Sequence, residues 1–308
     1  MAELLQTSSL TCYMHDLFEQ HDPGPGHPER PARYGAARAA VLASGAPVLP
    51  APAAPRAALE RVHGPAYLDL VERFCAGGGG GLDADTVVGE ASWPAALRAA
   101  GGAIAAVDLV AGGASGAFGV GRPPGHHAER SRAMGFCIVN SVAVAAAHAR
   151  EVLGMDRVAV LDWDAHHGNG TQAIFYDDAA VLYVSLHQYP FYPGTGAASE
   201  RGAGAGEGAT VNLPLPAGCV EHEYLAVFRD HALEALRRFR PQLLIVSAGF
   251  DAHRDDPLCE LGLSSAAFGT MAAELGAIDC GRVFVLEGGY HLRALEQSVA
   301  AVLNAFTG

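Results

Sequence analysis

Arg157-Val-Ala-Val160-Leu-Asp162-Trp-Asp164-Ala-His166-His167-Gly-Asn169-Gly-Thr171 is an apolar run that stops abruptly at acids and imidazoles. The run over 157–163 is β-branched and apolar on both faces, as a strand is when helices cover a parallel sheet on both sides. Side chains alternate along an extended chain, so Asp162, Asp164 and His166 share one face as the strand ends. Capping a helix needs one such residue. Three metal-competent groups in register, leading into a glycine turn, point instead to cation chemistry.

Outward from this run, short β-branched segments alternate with longer Ala/Leu-rich ones. Strands are predicted at 9–14, 116–121, 157–163, 181–186, 242–248 and 282–287, and helices at 29–43, 92–111, 141–153, 222–239, 265–278 and 292–305. The alternation predicts an α/β fold around a mainly parallel sheet with right-handed crossovers. Gly77–Gly81 and Gly202–Gly208 read as flexible loops. Neither sits at a shift in composition, so residues 1–308 read as one domain.

Three more predicted strands end on reactive groups. Arg122-Pro-Pro-Gly-His126-His127-Ala-Glu129 carries paired imidazoles in a loop stiffened by proline, and such a pair can divide proton abstraction and donation. Ser247-Ala-Gly-Phe250-Asp251 places a carboxylate past one strand, and Leu286-Glu-Gly-Gly-Tyr290 a phenol past another. Either alone is ordinarily structural. Together, His126, Asp164, Asp251 and Tyr290 follow four different strands, whose carboxyl ends share one edge of a parallel sheet.

Composition sets the remaining bounds. Of 308 residues 50% are hydrophobic and 17% charged, which suits a large buried core. The net charge of -13 opposes binding to nucleic acid or anionic membranes. Cysteines 12, 75, 137, 219, 259 and 280 form no C-x-x-C pair, which excludes a zinc ribbon or a thioredoxin-like motif. The thiols read as reduced and the compartment as cytoplasmic. The opening MAELLQTSSL lacks the basic start and apolar block of a secretory signal. No run approaches the roughly 18 apolar residues of a membrane span.

With Gly135-Phe136-Cys137-Ile-Val-Asn140 and His27-Pro-Glu29-Arg30 added, this set of motifs resembles the histone deacetylase superfamily, in particular its class II branch. That branch includes bacterial histone deacetylase-like amidohydrolases and acetylpolyamine amidohydrolases. The likeness runs from His27 to Tyr290 in the family's order. It implies the arginase/deacetylase α/β fold, with a mainly parallel sheet of about eight strands flanked by helices. It also implies zinc-dependent hydrolysis of acetyl-lysine or a related acetylated amine, releasing acetate.

The resemblance makes Asp164, His166 and Asp251 the metal ligands, His126 and His127 the catalytic pair, and Tyr290 the hydroxyl that polarises the acetyl carbonyl. Asp162 would back His126. Asn169 would back His127, where class I enzymes have Asp. Gly135, Phe136, Tyr192 and Leu258 would bind substrate. Asp162, Asp164, His166, Ser185 and Leu186 match a structural potassium site, and Phe175, Asp178 and Val181 a second one. Ferrous iron suits the same catalytic donors as zinc. A homo-oligomer is compatible with everything above.

Three alternatives bear on these residues. A polyamine specialist can carry Glu where this chain has Leu258, although Asp255 and Asp256 lie next to it. An arginase-like ureohydrolase needs a second carboxylate cluster, and Gly168 stands where its further Asp would fall. An inactive acetyl-amine binder would have lost a ligand, the histidine pair or the tyrosine, and all are present. His187 reads as structural and Cys137 as a buried thiol, while Asp22, His27 and Glu29 read as shaping the pocket mouth.

Overall fold

Residues 10–306 are described by a computed structural model; Ser9, where the first predicted strand begins, lies outside the described residues, as does most of the stretch read for a leader. The strands are β1 Thr11–Met14, β2 Val48–Pro50, β3 Gly80–Gly81, β4 Val87–Val88, β5 Gly116–Gly119, β6 Val158–Asp162, β7 Val181–Gln188, β8 Thr210–Leu215, β9 Leu243–Ala248 and β10 Gly281–Leu286. The helices are α1 Ala32–Ser44, α2 Arg56–Glu60, α3 Pro65–Ala76, α4 Ser92–Ala111, α5 Ser141–Glu151, α6 Asn169–Phe175, α7 Glu221–Val227, α8 Leu233–Phe239, α9 Ser265–Glu274 and α10 Leu292–Asn304. Eight strands form one parallel sheet in the order β2-β1-β5-β10-β9-β6-β7-β8. β3 and β4 make a separate antiparallel pair.

Every residue of β5, β6, β7 and β9 is buried, which explains why these strands are mostly apolar, with polar residues only toward their carboxyl ends. Helices α4 and α5 cover one face of the sheet. Helices α1, α9 and α10 pack against one another on the other face. There the α9 ring Phe268 and the C-terminal Phe306 meet Trp163 and Phe284.

By length and composition α4 is apolar enough to cross a membrane, contrary to the expectation that no run came near. Arg98 and Asp108 interrupt the unbroken apolar run, and the average over the helix stays high enough in spite of them. Of its most apolar window 56% is buried inside the protein, so its apolar face is a core face against the sheet. The structure also departs from expectation at 222–239, where a π-turn over Phe228–Ala232 separates α7 from α8. Strand β8 was not predicted. It contains Pro214, which lacks a backbone donor, and the sheet tolerates it because β8 is an edge strand.

The four central neighbours β5, β10, β9 and β6 run the same way. Their carboxyl ends therefore deliver residues 120–127, 287–290, 249–251 and 163–166 to one place.

Candidate active site

The exits of β6 and β9 bring Asp164, His166 and Asp251 together, with one donor atom from each lying within 4.8 Å of the others. His166 Nδ1 is 3.2 Å from Asp164 Oδ1 and 2.9 Å from Asp251 Oδ2. Asp162, the third residue of the predicted face, belongs elsewhere: the strand ends there and its carboxylate turns to His126. Burial opposes charge on His166, but hydrogen bonds to Asp164 and Asp251 outweigh it and raise the ring to about 10. Burial and the Asp164 charge raise Asp251 to about 7. Both shifts arise because two buried carboxylates share a small space and draw in protons. A divalent cation neutralises the same pair without them, and the O, N, O donor set suits zinc or ferrous iron.

Facing this cluster, the His126 and His127 ring centroids stand 4.0 Å apart. Their environments differ. His126 Nδ1 meets Asp162 Oδ2 at 3.0 Å, and the Tyr183 hydroxyl donates to the same oxygen at 3.1 Å. Burial disfavours charge on His126, yet Asp164 and Asp162 raise it to about 10. His127 is held well below the usual imidazole range by burial, with His126 and His166 adding repulsion. Its Nδ1 lies 2.8 Å from Asn169 Oδ1, and Asn169 Nδ2 donates to Glu129 Oε1 at 2.8 Å. That second bond orients the amide, so His127 Nδ1 is the donor and Nε2 carries the lone pair. Asp162 thus favours the cationic form of one imidazole while burial favours the neutral form of its neighbour, the division that an acid–base pair requires.

Gly168 adjoins this pair. A Cβ at that position would stand 2.2 Å from Asp162 Oδ2 and 3.1 Å from His126 Nδ1. A carboxylate there, as a two-metal ureohydrolase needs, is therefore sterically excluded.

The exit of β10 supplies Tyr290, whose ring meets Phe136 edge-on at 5.7 Å and lies under the Arg33 guanidinium at 4.9 Å. Asp256 Oδ2 accepts the Tyr290 backbone N–H at 2.7 Å. Asp256 is thus a buried anchor of the tyrosine segment, whereas the sequence showed only that it lies, with Asp255, next to Leu258. Glu29 also departs from expectation. Instead of shaping the mouth it is fully buried, 2.9 Å from Arg33, 2.5 Å from Arg122 and 3.2 Å from His21. Arg33 in turn donates to the carbonyls of Glu287 and Gly289 at 2.5 and 2.6 Å.

Burial alone would raise the Glu29 carboxyl, but Arg122, His21 and Arg33 hold it well below 4.5. A depressed folded pKa gives stability that is complete above 4.5 and fades as pH falls below it. Glu29→Gln, which strands two buried guanidinium groups, is expected to cost about 3–5 kcal/mol at neutral pH. Urea unfolding checks this, and the gap to wild type should shrink under acid.

The walls of the cleft come from loops. Gly135 and Phe136 have φ of 57° and 67°, and a Cβ on Gly135 would lie 2.3 Å from the His127 ring, so only glycine fits there. Asp85 Oδ1 and Thr86 Oγ1 accept the N–H groups of this pair at 3.1 Å each. His27 packs on Phe136 at 4.8 Å, buttressing it from behind. Tyr192 stands edge-on to His127 at 5.3 Å on the other wall and is partly exposed. Phe191 stacks on His166 at 5.2 Å, a contact the sequence gave no reason to expect. Leu258 is half-buried beyond Asp256, which accepts its N–H.

Ser185 pairs with Asp162 in the β6–β7 register, and Leu186 follows it. Burial lowers His187 to about 4, so the ring is neutral. Its Nε2 donates to the Gly196 carbonyl at 2.9 Å, and Nδ1 therefore accepts the Ser185 hydroxyl proton at 2.8 Å. That bond uses the serine proton and leaves its oxygen as an acceptor, with the Tyr183 side chain also beside it. Phe175, Asp178 and Val181 lie in the turn from α6 to β7.

A model of the histone deacetylase domain matches residues 27–306. The chain is 43% identical over 267 residues to a histone deacetylase-like amidohydrolase of Pseudomonas aeruginosa, covering 84% of this chain and 70% of that protein. The solved HDA15 HD domain superposes with a TM-score of 0.93 at 37% identity, covering 97% of this chain and 91% of the other. An acetylpolyamine aminohydrolase from Burkholderia pseudomallei superposes with a TM-score of 0.88, also at 37% identity, covering 97% and 98%.

Proposed function

The chain belongs to the histone deacetylase family and is a deacetylase of the amidohydrolase type, and we propose that it uses zinc to hydrolyse the acetyl amide of acetyl-lysine or a related acetylated amine. The observation that carries this reading is the buried Asp164, His166 and Asp251 cluster facing two imidazoles held differently, His126 by the Asp162 carboxylate and His127 by the Asn169 amide. Those three residues would hold the zinc, which when bound supplies Lewis-acid polarisation of the acetyl carbonyl and of water.

The remaining chemistry belongs to the chain. His127 Nε2, neutral and with its lone pair available, takes a proton from the attacking water. The Tyr290 hydroxyl donates a hydrogen bond to the carbonyl oxygen as it gains charge. His126, cationic and anchored by Asp162, gives its proton to the departing amine. Phe136 and Tyr192 flank the linker of the substrate, and Gly135 leaves room beside His127.

A structural potassium ion would sit on Asp162, Asp164, His166, Ser185 and Leu186, a placement supported by the pairing of Ser185 with Asp162 in the β6–β7 register. A single deacetylase domain is supported by the span of the family match and by one contiguous core. Six unpaired thiols support a reducing, cytoplasmic setting.

Acetylpolyamine hydrolysis is the second reading, favoured by likeness to the Burkholderia pseudomallei enzyme. Against it, Leu258 puts an apolar group where a cationic substrate calls for a carboxylate, and Asp256 is committed to Tyr290. Acetate release by zinc-loaded protein, compared across an acetyl-lysine peptide, acetylputrescine and acetylspermidine, is expected to favour the peptide. Preference for the polyamines would reverse the substrate assignment. No acetate from any of them would overturn the mechanism.

A further inference from the structure

Past the end of β10 one short segment reaches a metal-cluster carboxylate, the histidine loop and the cleft wall. The Gly288 N–H donates to Asp164 Oδ2 at 2.8 Å, Gly289 accepts from Arg33, and Tyr290 presents the phenol. Glu287 is 1% exposed, and its Oε2 accepts the N–H groups of Gly125 at 2.6 Å and His126 at 3.2 Å. Its Oε1 is buried with no hydrogen-bond partner.

Burying a carboxylate costs several kcal/mol unless something offsets it. What this one does follows from the sheet. The β10–β5 pairing ends where Val285 meets Gly119, and the chain from β5 then passes through Pro123 and Pro124, which have no N–H to offer. Beyond that point the sheet ladder ends; backbone bonds still take up the Gly125 and His126 carbonyls, from Ala128 and Thr171 N–H, but the Gly125 and His126 N–H groups are left to a side chain. The Glu287 side chain extends the connection between the two strands and catches the first available N–H groups.

We propose that Glu287 is a positioning residue for the histidine pair, holding the Gly125–His126 backbone in register with Asp164 and Tyr290. The inference rests on the deacetylase reading for its kinetic consequence but not for its geometry. His126, Cys137 and Glu287 also place one potential ligand atom each within 4.8 Å of the others. Oε2 is engaged twice and His126 Nδ1 is engaged by Asp162, and these hydrogen bonds are what tie Glu287 to the loop.

Two variants separate reach from charge. Glu287→Asp keeps the carboxyl group but withdraws the acceptor by one methylene; Glu287→Gln keeps the reach and replaces the carboxyl group by a neutral amide. Because misplacement by about 1 Å can cost about 100-fold, Glu287→Asp is expected to lower kcat by about 10–100-fold with KM within about twofold. Glu287→Gln is expected to stay within about threefold of wild type on the same grounds. Crystal structures of both give a readout independent of turnover: residues 125–127 should move in the Asp variant and superpose in the Gln variant. An unmoved loop in Glu287→Asp, or wild-type kcat in that variant, overturns the proposal. So does a Gln variant as impaired as the Asp one, which would make charge the cause. If wild-type protein releases no acetate, the deacetylase reading falls, and the loop positions still decide the role of Glu287.

Discussion

Tyr290→Phe is expected to lower turnover of the acetyl amide by about 10²–10³-fold, the scale for removing one donor to a developing oxyanion. The substitution is unusually clean here. Phenylalanine keeps the edge contact with Phe136 and the place beneath Arg33. The backbone bond to Asp256 does not involve the side chain and persists. Burial pushes the phenol well above its usual range, so at neutral pH the wild-type group is a donor and never a phenolate base. Only the O–H is lost. The loss should fall on kcat, because the bond strengthens as charge gathers on the oxygen, while KM and zinc content stay close to wild type. Turnover within about threefold of wild type would remove Tyr290 from the mechanism, since a single donor of this kind is worth far more.

The frame and the reacting groups were legible because each is written locally. Val158–Asp162 and Leu243–Ala248 announce buried strands by their own composition, and the residues that follow each strand announce the edge where they gather. What was not legible depends on pairings distant in sequence. Glu287 is one acid past a strand, and nothing nearby says that its partner is a peptide 161 residues earlier. Glu29 was read as a mouth residue because its motif lies in a loop; its burial follows from Arg33 and Arg122 converging on it. Asp256 was read with exposed Asp255, but only the fold turns it toward Tyr290. Phe191 and β8 escaped for a related reason. A stacked ring and an edge strand with a proline are recognisable only beside their neighbours, His166 and β7.

Asp251→Asn is expected to abolish stoichiometric zinc binding while leaving the fold in place. Asp251 does two jobs with its two oxygens. Oδ1 accepts the Ala165 N–H at 2.7 Å, and Oδ2 faces His166 Nδ1 at 2.9 Å. Asparagine can keep the first bond through its carbonyl oxygen. It then sets an NH2 group, a donor without an available lone pair, where the second oxygen stood. The site is left with one carboxylate and one imidazole, too few donors and too little negative charge for a tight divalent site. Loss of a mere hydrogen-bond partner behind a ligand weakens metal affinity about 10–100-fold, so loss of a ligand should cost at least the upper end of that range. Metal analysis after gel filtration checks this, with Asp255→Asn as the control: its carboxylate is exposed, and its zinc content should equal that of wild type. An unchanged urea midpoint without added zinc would show that the missing metal is not a consequence of unfolding. Full zinc content in Asp251→Asn would mean that Asp164 and His166 bind the ion without it. The cluster that carries the functional reading would then have to be rebuilt around a different third donor.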